Sequence, residues 1–283
     1  MSLLLTGATG YIGSSVLRSL VERGHTVTAL VRSEEKAAQV GAAGANAVVG
    51  SITDLDLLRR LVAESDGVIH TASPGDETSA AVDGDLVDVV VGEFSGTDRP
   101  FVHTGGIWIF GAGDDLDEST PPKPLPITGW RLDVERKVRE SDVHTTIIAP
   151  GIVYGRGAGI PSMLIGQGEV RLVGDGSQHW TSVHVDDLGV LYALAYEKAA
   201  ADEYYLGASG ENPTVRELGE AVSQGADVVA ESAQESRDRL GEAFADALLL
   251  DQQASGSHAK ESLGWTPSGP SLVDDLASGS YTR

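Results

Sequence analysis

Two hydrophobic periods take turns along this chain. Leu3-Leu4-Leu5 is a short continuous apolar run. Directly after it, Ile12, Val16, Leu17, Leu20 and Val21 recur at helical spacing with polar residues between them, which predicts a strand followed by a helix with one buried face. Gly24 stops that helix, and Thr26–Val31 reads as a second strand. Ser33 is placed to cap the next helix, with Glu34 and Glu35 in its first turn where acids suit the helix dipole. Ala47–Gly50 is a third strand, Leu55, Leu58, Leu61 and Val62 mark a third helix, and Gly67–Ala72 is a fourth strand. Residues 77–95 read as a helix, Pro100–Thr104 as the fifth strand, residues 128–141 as a further helix and Val143–Ala149 as the sixth strand. Strands alternating with helices in this way imply an α/β fold built on a doubly wound parallel sheet.

From Tyr154 onward the pattern changes. Glycine recurs at 155, 157, 159, 166 and 168, which fits a loop-rich lobe. Trp180–Val185 reads as a short strand, with Asp186 or Asp187 as cap of a helix through Leu191, Leu194 and Ala195. Thr214 and Glu217 form a capping-box pair ahead of Val215, Leu218 and Val222. Leu240, Phe244, Ala247 and Leu248 suggest one more amphipathic helix, and Ala277–Arg283 is expected to fray. The division expected is a dinucleotide-binding unit over 1–153, with segments around 180–206 contributing to it, and a small substrate lobe occupying most of 154–283. The Pro-rich stretch Ser119–Pro126 reads as a surface loop near the mouth of the site.

The junction of the first strand and helix carries the clearest chemistry. In Thr6-Gly7-Ala8-Thr9-Gly10-Tyr11-Ile12-Gly13, Gly7 permits a tight turn, Gly10 lets a pyrophosphate approach the backbone, and Gly13 lets the helix lie close to the strand. The unpaired N–H groups and positive dipole end of the helix then hold the phosphates, with Thr9, Tyr11 and Ile12 alongside. At the end of the second strand, where an acid would bind the adenosine ribose hydroxyls, stands Arg32, suited to a 2′-phosphate. NADP(H) is therefore the expected cofactor, with NAD(H) second.

Composition narrows the partners more than the fold. The chain has 283 residues, a net charge of −22 and no cysteine. That balance argues against nucleic acid, because phosphate neutralisation needs Lys and Arg. The missing cysteines exclude disulfides, thiolate metal sites and a thiol nucleophile, and no metal is expected. No apolar run reaches membrane-spanning length, so no membrane partner is expected and a cytoplasmic location is the default. Lysine occurs only at 36, 123, 137, 198 and 260, a scarcity that fits either a high-salt cytoplasm or a GC-rich genome. Charge of this kind bears on solubility and not on fold.

The T-G-x-x-G-x-x-G spacing resembles the extended short-chain dehydrogenase/reductase superfamily, of epimerase/dehydratase type. Val102-His103-Thr104-Gly105-Gly106 with Ile109-Phe110-Gly111 is similar to its fifth strand and following loop. Ala149-Pro150-Gly151-Ile152-Val153-Tyr154-Gly155 resembles its R-P-x-x-V-Y-G segment, Val183–Leu188 its V-H-V-x-D-L segment, and Leu263–Pro267 its closing L-G-W-x-P. The resemblance implies a Rossmann-like sheet with a small C-terminal substrate lobe. It also implies that Ser51 and Ile52 lie where the family touches adenine, and that Thr71, Ala72, Ser73, Pro150 and Val153 lie beside the nicotinamide end. His70, inside an apolar strand, reads as a satisfied core histidine.

The catalytic set is where the chain departs from the family. There a serine or threonine, a tyrosine and a lysine (Y-x-x-x-K) do the proton work. In this chain the alignment puts Ile127 at the tyrosine, Arg131 at the lysine, and Gly106 at the serine with Thr104 two residues before it. No tyrosine lies between residues 12 and 153. This resembles the atypical members of the superfamily, some of which carry a basic residue in place of the lysine. Arg131 is then expected to hold ribose or phosphate or to polarise a carbonyl, with a water, Thr104 or Tyr154 carrying the proton; Trp108, Trp130 and Trp180 are candidates for the pocket wall. The expected activity is an NADP(H)-dependent oxidoreductase acting on a small carbonyl or hydroxyl compound. A cofactor-binding redox sensor or regulatory protein without turnover is the alternative, and a sugar-nucleotide epimerase or dehydratase a further one. In relatives the helices near 77–95 and 128–141 meet a second subunit. Asp83, Asp85, Asp88 and Glu93 crowd the first of these, so a monomer, or a homodimer weakened at low salt, is expected.

Overall fold

Seven parallel strands form the centre of the computed structural model, which describes residues 2–165 and 169–281. Gly166 and Gly168, Thr282 and Arg283, all part of the expectations above, lie outside the described residues. The strands and helices follow in the alternation that the hydrophobic pattern predicts: β1 (Ser2–Thr6), α1 (Tyr11–Glu22), β2 (Val27–Val31), α2 (Glu34–Ala42), β3 (Asn46–Val49), α3 (Leu55–Ala63), β4 (Ser65–His70), α4 (Ser79–Phe94) and β5 (Pro100–Thr104). After a short β6 (Gly113–Leu116) come α5 (Trp130–Arg139) and β7 (His144–Pro150). The sheet order is β3-β2-β1-β4-β5-β7-β12, where β12 is Glu203–Gly207, reached from β7 by way of the lobe. The chain winds outward from β1 to β3 and then crosses to β4 on the other side of β1, which makes this a Rossmann-like doubly wound sheet whose switch point lies between β1 and β4.

Both faces of the sheet are covered, which is why its strands read as near-continuous apolar runs. Alternate residues of β1 show the division. Leu3 and Leu5 pack with Val16, Leu17 and Leu20 of α1, whereas Leu4 packs with Leu58 of α3 and with Leu86 and Val90 of α4. The caps are local and follow the sequence: Ser33 accepts from Lys36 N–H, Asp54 from Leu57 N–H, and Thr214 and Glu217 form the reciprocal box.

The lobe is built from short pieces. β8 (Ile152–Gly155) pairs with β9 (Ala158–Gly159) and β11 (Ser182–His184), and β10 (Val170–Arg171) pairs with β13 (Val228–Val229). Its helices are α7 (Val215–Ser223), α8 (Ala233–Leu240) and α9 (Glu242–Leu248). β14 (Gln252–Ala254) pairs with β6, and α10 (Ser257–Leu263) and α11 (Leu272–Ser278) follow.

Four expectations need correction here. The strand over Trp180–Val185 is only Ser182–His184, because Val185 already begins α6 (Val185–Lys198). That helix is capped not by Asp186 or Asp187 but by His184, whose ring nitrogen accepts from Asp186 N–H at 3.3 Å; the two acids sit in the first turn instead. The stretch around Leu240–Leu248 is two helices, divided at Gly241, whose φ of +84° no helix accommodates. Finally, α10 and Trp265 do not belong to the lobe. Ala259, Leu263 and Trp265 are buried against α6 and the sheet, and the Trp265 indole donates to Asp187 O at 2.9 Å. The Asp187 carboxylate in turn accepts from Ser268 and Gly269 N–H, pinning the strap that leads to α11.

The acidic face of α4 also reads differently in three dimensions. Asp83 is buried, and Asp88 meets Lys137 of α5 at 2.8 Å, leaving Asp85 and Glu93 as the crowding charges. Among the described residues the exposed large apolar side chains are Val49, Leu55 and Ile127, none of them on α4 or α5. No helix among them is long and apolar enough to cross a membrane.

Candidate functional site

All strands of the central sheet run the same way, so the segments that leave their C-terminal ends share one edge. That edge collects the β1–α1 turn, Arg32, Ser51 and Ile52, Thr71–Ser73, Thr104, Pro150 and Val153. Gly7 takes φ +80°, and Gly10 N–H closes the turn on Gly7 O at 2.8 Å. A Cβ on Gly13 would stand 2.0 Å from Gly7 O and 2.7 Å from the Thr71 hydroxyl, so helix and strand meet at backbone distance. Gly10 is extended, caps α1 with no side chain, and has only Gly7 O, at 3.1 Å, near the place of a Cβ. The first turn of α1 carries no acid. This N-terminus is thus a bare, positive cradle on the cleft side, and it fits a dinucleotide pyrophosphate.

Further along the edge, Arg32 is exposed just past β2 and has no hydrogen-bond or ion-pair partner among the described residues. The Ser51 hydroxyl bonds the Thr53 hydroxyl at 2.7 Å, and Ile52 packs on the core beneath. Thr71 donates to Thr6 O at 2.8 Å, which ties the segment after β4 to the end of β1.

Arg131 enters the cleft from the first turn of α5. Its guanidinium lies over the Trp130 ring, 4.5 Å from the centroid, and donates to Thr104 O at 3.2 Å. Behind it stands Asp83, 2% exposed, with a carboxylate oxygen 3.9 Å from the Arg131 Nη1. The other Asp83 oxygen lies 3.3 Å from His70 Nε2, and His70 Nδ1 meets the Thr6 hydroxyl at 2.6 Å. His70 is therefore a core histidine with both ring nitrogens engaged. His103 stacks on it; burial, then the neighbouring His70, depresses the His103 pKa to about 3 and keeps that ring neutral.

The two hydroxyl candidates fare differently. Thr104 lines the cleft, but its single proton goes to His70 O at 2.6 Å, and its oxygen also meets the Tyr192 hydroxyl at 2.7 Å. Tyr192, fully buried on α6, has Thr104 as its partner, so it donates to Thr104 and Thr104 has no proton left to offer. Tyr154 is not in the cleft. Its ring is buried against His184, and its hydroxyl donates to Pro270 O at 2.7 Å, because β8 turns that side chain into the lobe core. Trp180 is also withdrawn, its indole donating to Leu248 O at 2.9 Å, while Trp108 and Trp130 do line the wall. Ile127, at the tyrosine position, lines the cleft and is 36% exposed.

The cleft has a volume of about 720 Å³. Sequence reasoning missed Asp83, Tyr192, Ile160 and Phe244, the last two reaching the cleft from the lobe. Among the described residues no group of three or more His, Asp or Glu is placed to hold a metal ion.

One turn beyond Arg131, Glu135 is buried beside Gly105. It accepts from Tyr204 OH at 3.2 Å on one oxygen, while the other has no partner among the described residues. Burial pushes its pKa up from 4.5 to about 7, against the pull of Tyr204, Arg131 and Arg139. The folded chain thus holds a proton that the unfolded chain releases at lower pH. Its stabilisation is complete below about pH 4.5 and is lost as pH rises through about 7, a loss of about 3 kcal/mol. Glu135→Gln should therefore be more stable than the parent at pH 8.5, by roughly 2–3 kcal/mol, and nearly equal to it at pH 5. Parallel pH profiles in thermal unfolding would refute this assignment.

Known proteins resemble the chain over most of its length. A sequence family described as NAD(P)H-binding matches residues 7–178. An uncharacterized protein of Schizosaccharomyces pombe is 32% identical over 296 residues, spanning 99% of this chain and 100% of that one. A 2-alkyl-3-oxoalkanoate reductase of Stenotrophomonas maltophilia is 27% identical over 244 residues, 77% of this chain and 73% of the relative. Among solved structures, a UDP-glucose 4-epimerase of Thermotoga maritima with UDP-glucose matches with a TM-score of 0.78 at 23% identity, covering 99% of this chain and 98% of that one. That last likeness is one of fold.

Proposed function

The chain belongs to the NAD(P)H-binding family within the extended short-chain dehydrogenase/reductase superfamily, and from this we propose that it is an NADP(H)-dependent oxidoreductase acting on a small carbonyl or hydroxyl compound. Gly7, Thr9, Gly10, Tyr11, Ile12 and Gly13 hold the pyrophosphate in this reading. Arg32 pairs with the 2′-phosphate, Ser51 and Ile52 border the adenine, and Thr71–Ser73, Thr104, Arg131, Pro150 and Val153 surround the nicotinamide end. When bound, the nicotinamide supplies or accepts the hydride.

The observation that carries the reading is the placement of Arg131, the one cation among the described residues that line the cleft, backed by a buried acid. An arginine does not give up its proton, so its work is electrostatic. It orients a substrate oxygen and stabilises the negative charge that gathers there as carbonyl becomes alkoxide. The proton then comes from water at the mouth of the cleft, since Thr104 has none to give and Tyr154 faces the lobe core. The name of the S. maltophilia relative specifies a 3-oxo acid and its reduction, which supports the reductive direction. Ile127 in place of a proton donor favours the second reading, a cofactor-binding regulatory protein without turnover. NADPH consumption with a panel of aldehydes and ketones decides between them.

Cofactor preference tests the adenosine end separately. NADPH should bind better than NADH by about tenfold or more, the worth of roughly 1.5–3 kcal/mol from a charge-assisted contact. Arg32→Asp should reverse the order. Equal affinities in calorimetry of the parent protein would remove Arg32 from the site.

A further inference from the structure

The lining of the cleft separates the classes of substrate that the superfamily fold accommodates. Trp108, Ile127, and Ile160 and Phe244 of the lobe line it, with Trp130 beneath Arg131. Trp108 and Phe244 meet edge to face across the lobe boundary, with ring centroids 6.1 Å apart. Among the described lining residues Arg131 is the one cation, and it already faces Asp83. The acids Asp76 and Glu77 stand in the segment that leads into α4, also on the lining. From the lobe, Gly151, Ile152, Gly159, Ile160 and Phe244 contribute no charged group.

A nucleoside diphosphate sugar brings two adjacent negative charges, and these need cations or a second cluster of free N–H groups on the lobe side. The described wall offers apolar surface and, at Asp76 and Glu77, charge of the wrong sign. Flat, uncharged rings gain from the same surface, because aromatic faces and edges pack on one another at centroid distances like that of Trp108 and Phe244. Resting on the reductase reading above, we propose that the substrate of this cleft is an uncharged aromatic carbonyl compound, packed against Trp108, Ile127 and Phe244 with its carbonyl oxygen on Arg131, and not a nucleotide sugar.

The test is binding to the full chain saturated with NADP+, read by tryptophan fluorescence and calorimetry, with 2-acetylnaphthalene and UDP-glucose as probes. 2-Acetylnaphthalene should bind saturably and quench the Trp108 and Trp130 emission, and UDP-glucose should show no saturable binding in the millimolar range. Phe244→Ala should weaken the naphthyl ketone about tenfold, as expected for losing one aromatic partner. Ile127→Ala, at an exposed position where folding is not at stake, should weaken it by roughly threefold. Saturable binding of UDP-glucose, or naphthyl ketone binding indifferent to both substitutions, overturns the proposal, as does the absence of saturable binding by the ketone. Ketone binding that responds to both substitutions, with no NADPH consumption on any aldehyde or ketone, would remove the reductase reading and leave the cleft as an aromatic-binding site without a reaction. NADPH-dependent reduction of other carbonyl compounds, with no binding of the naphthyl ketone, would do the reverse.

Discussion

Arg131→Met should lower turnover by about 10²–10³ while changing NADPH affinity far less, because the loss falls on charge that develops on the substrate oxygen. The side chain has two duties, and the variant must be read with both in mind. It faces the cleft, and it also stands 3.9 Å from the buried carboxylate of Asp83. Methionine would leave that carboxylate with His70 as its remaining polar neighbour, a loss of stability of about 1–3 kcal/mol. The pair Arg131→Met with Asp83→Asn removes both charges and should recover most of the stability without recovering turnover. Arg131→Lys keeps the charge but not the planar fork that reaches Thr104 O, and should be intermediate. Unchanged turnover in Arg131→Met, on whatever carbonyl substrate the panel finds, would remove Arg131 from the stabilisation of the alkoxide.

The glycine turn yields the other large effect, and its three glycines should not respond alike. Gly13→Ala drives a methyl group to within 2.0 Å of Gly7 O and 2.6 Å of Gly7 C, backbone atoms that cannot swing aside, with the Thr71 hydroxyl 2.7 Å away. Helix and strand must part, at a cost of about 3 kcal/mol, and NADPH affinity should fall by about 100-fold or more. Gly10→Ala meets only Gly7 O at 3.1 Å, so its stability should stay within about 1 kcal/mol of the parent. Its methyl group occupies the face the phosphates approach, and affinity should still drop by about tenfold or more. Thermal unfolding beside NADPH titration separates the two. Equal behaviour of Gly10→Ala and Gly13→Ala in both measurements would contradict the geometry of the turn.

What could be read from the sequence was what is decided locally. The turn from Gly7 to Gly13, the capping residues Ser33 and Thr214, and the alternation of buried faces all follow from neighbours within a few residues. The site itself is only half local. Thr104 and Arg131 fell to the cleft because strand ends and helix starts are local features, but the charge behind Arg131 was not foreseen. Asp83 looked like one more acid on a crowded surface, since the pattern Val82-Asp83 does not say which way an acid faces until α5 is laid across α4. Tyr192 was hidden for the same reason: it lies on a helix from the second half of the chain, and only the packing of α6 on the sheet brings its hydroxyl to Thr104. Tyr154 failed in the opposite direction. Its neighbours resemble a segment that borders the site, yet strand alternation puts its side chain on the lobe face. Gly241 and His184 show a smaller limit, since one break and one cap shift an element boundary without altering the hydrophobic period.

The packing of α6 on α1 has a consequence for how the protein is made. Ser15 on α1 donates to Asp186 on α6, a partner 171 residues later in sequence, and Gly189 lies so close to Ser15 that a Cβ there would stand 2.7 Å from its backbone. The stripe Val16, Leu17 and Leu20 is closed over by Leu188, Leu191 and Tyr192 of that late helix. During synthesis the first strand–helix–strand unit therefore leaves the ribosome with part of its apolar cover not yet translated. Loop closure over so long a stretch is slow, and a nascent chain in that condition depends on chaperones or on speed to avoid sticking to its neighbours. The dense negative charge of the chain works in its favour over that interval, because like-charged nascent chains repel one another before they can join.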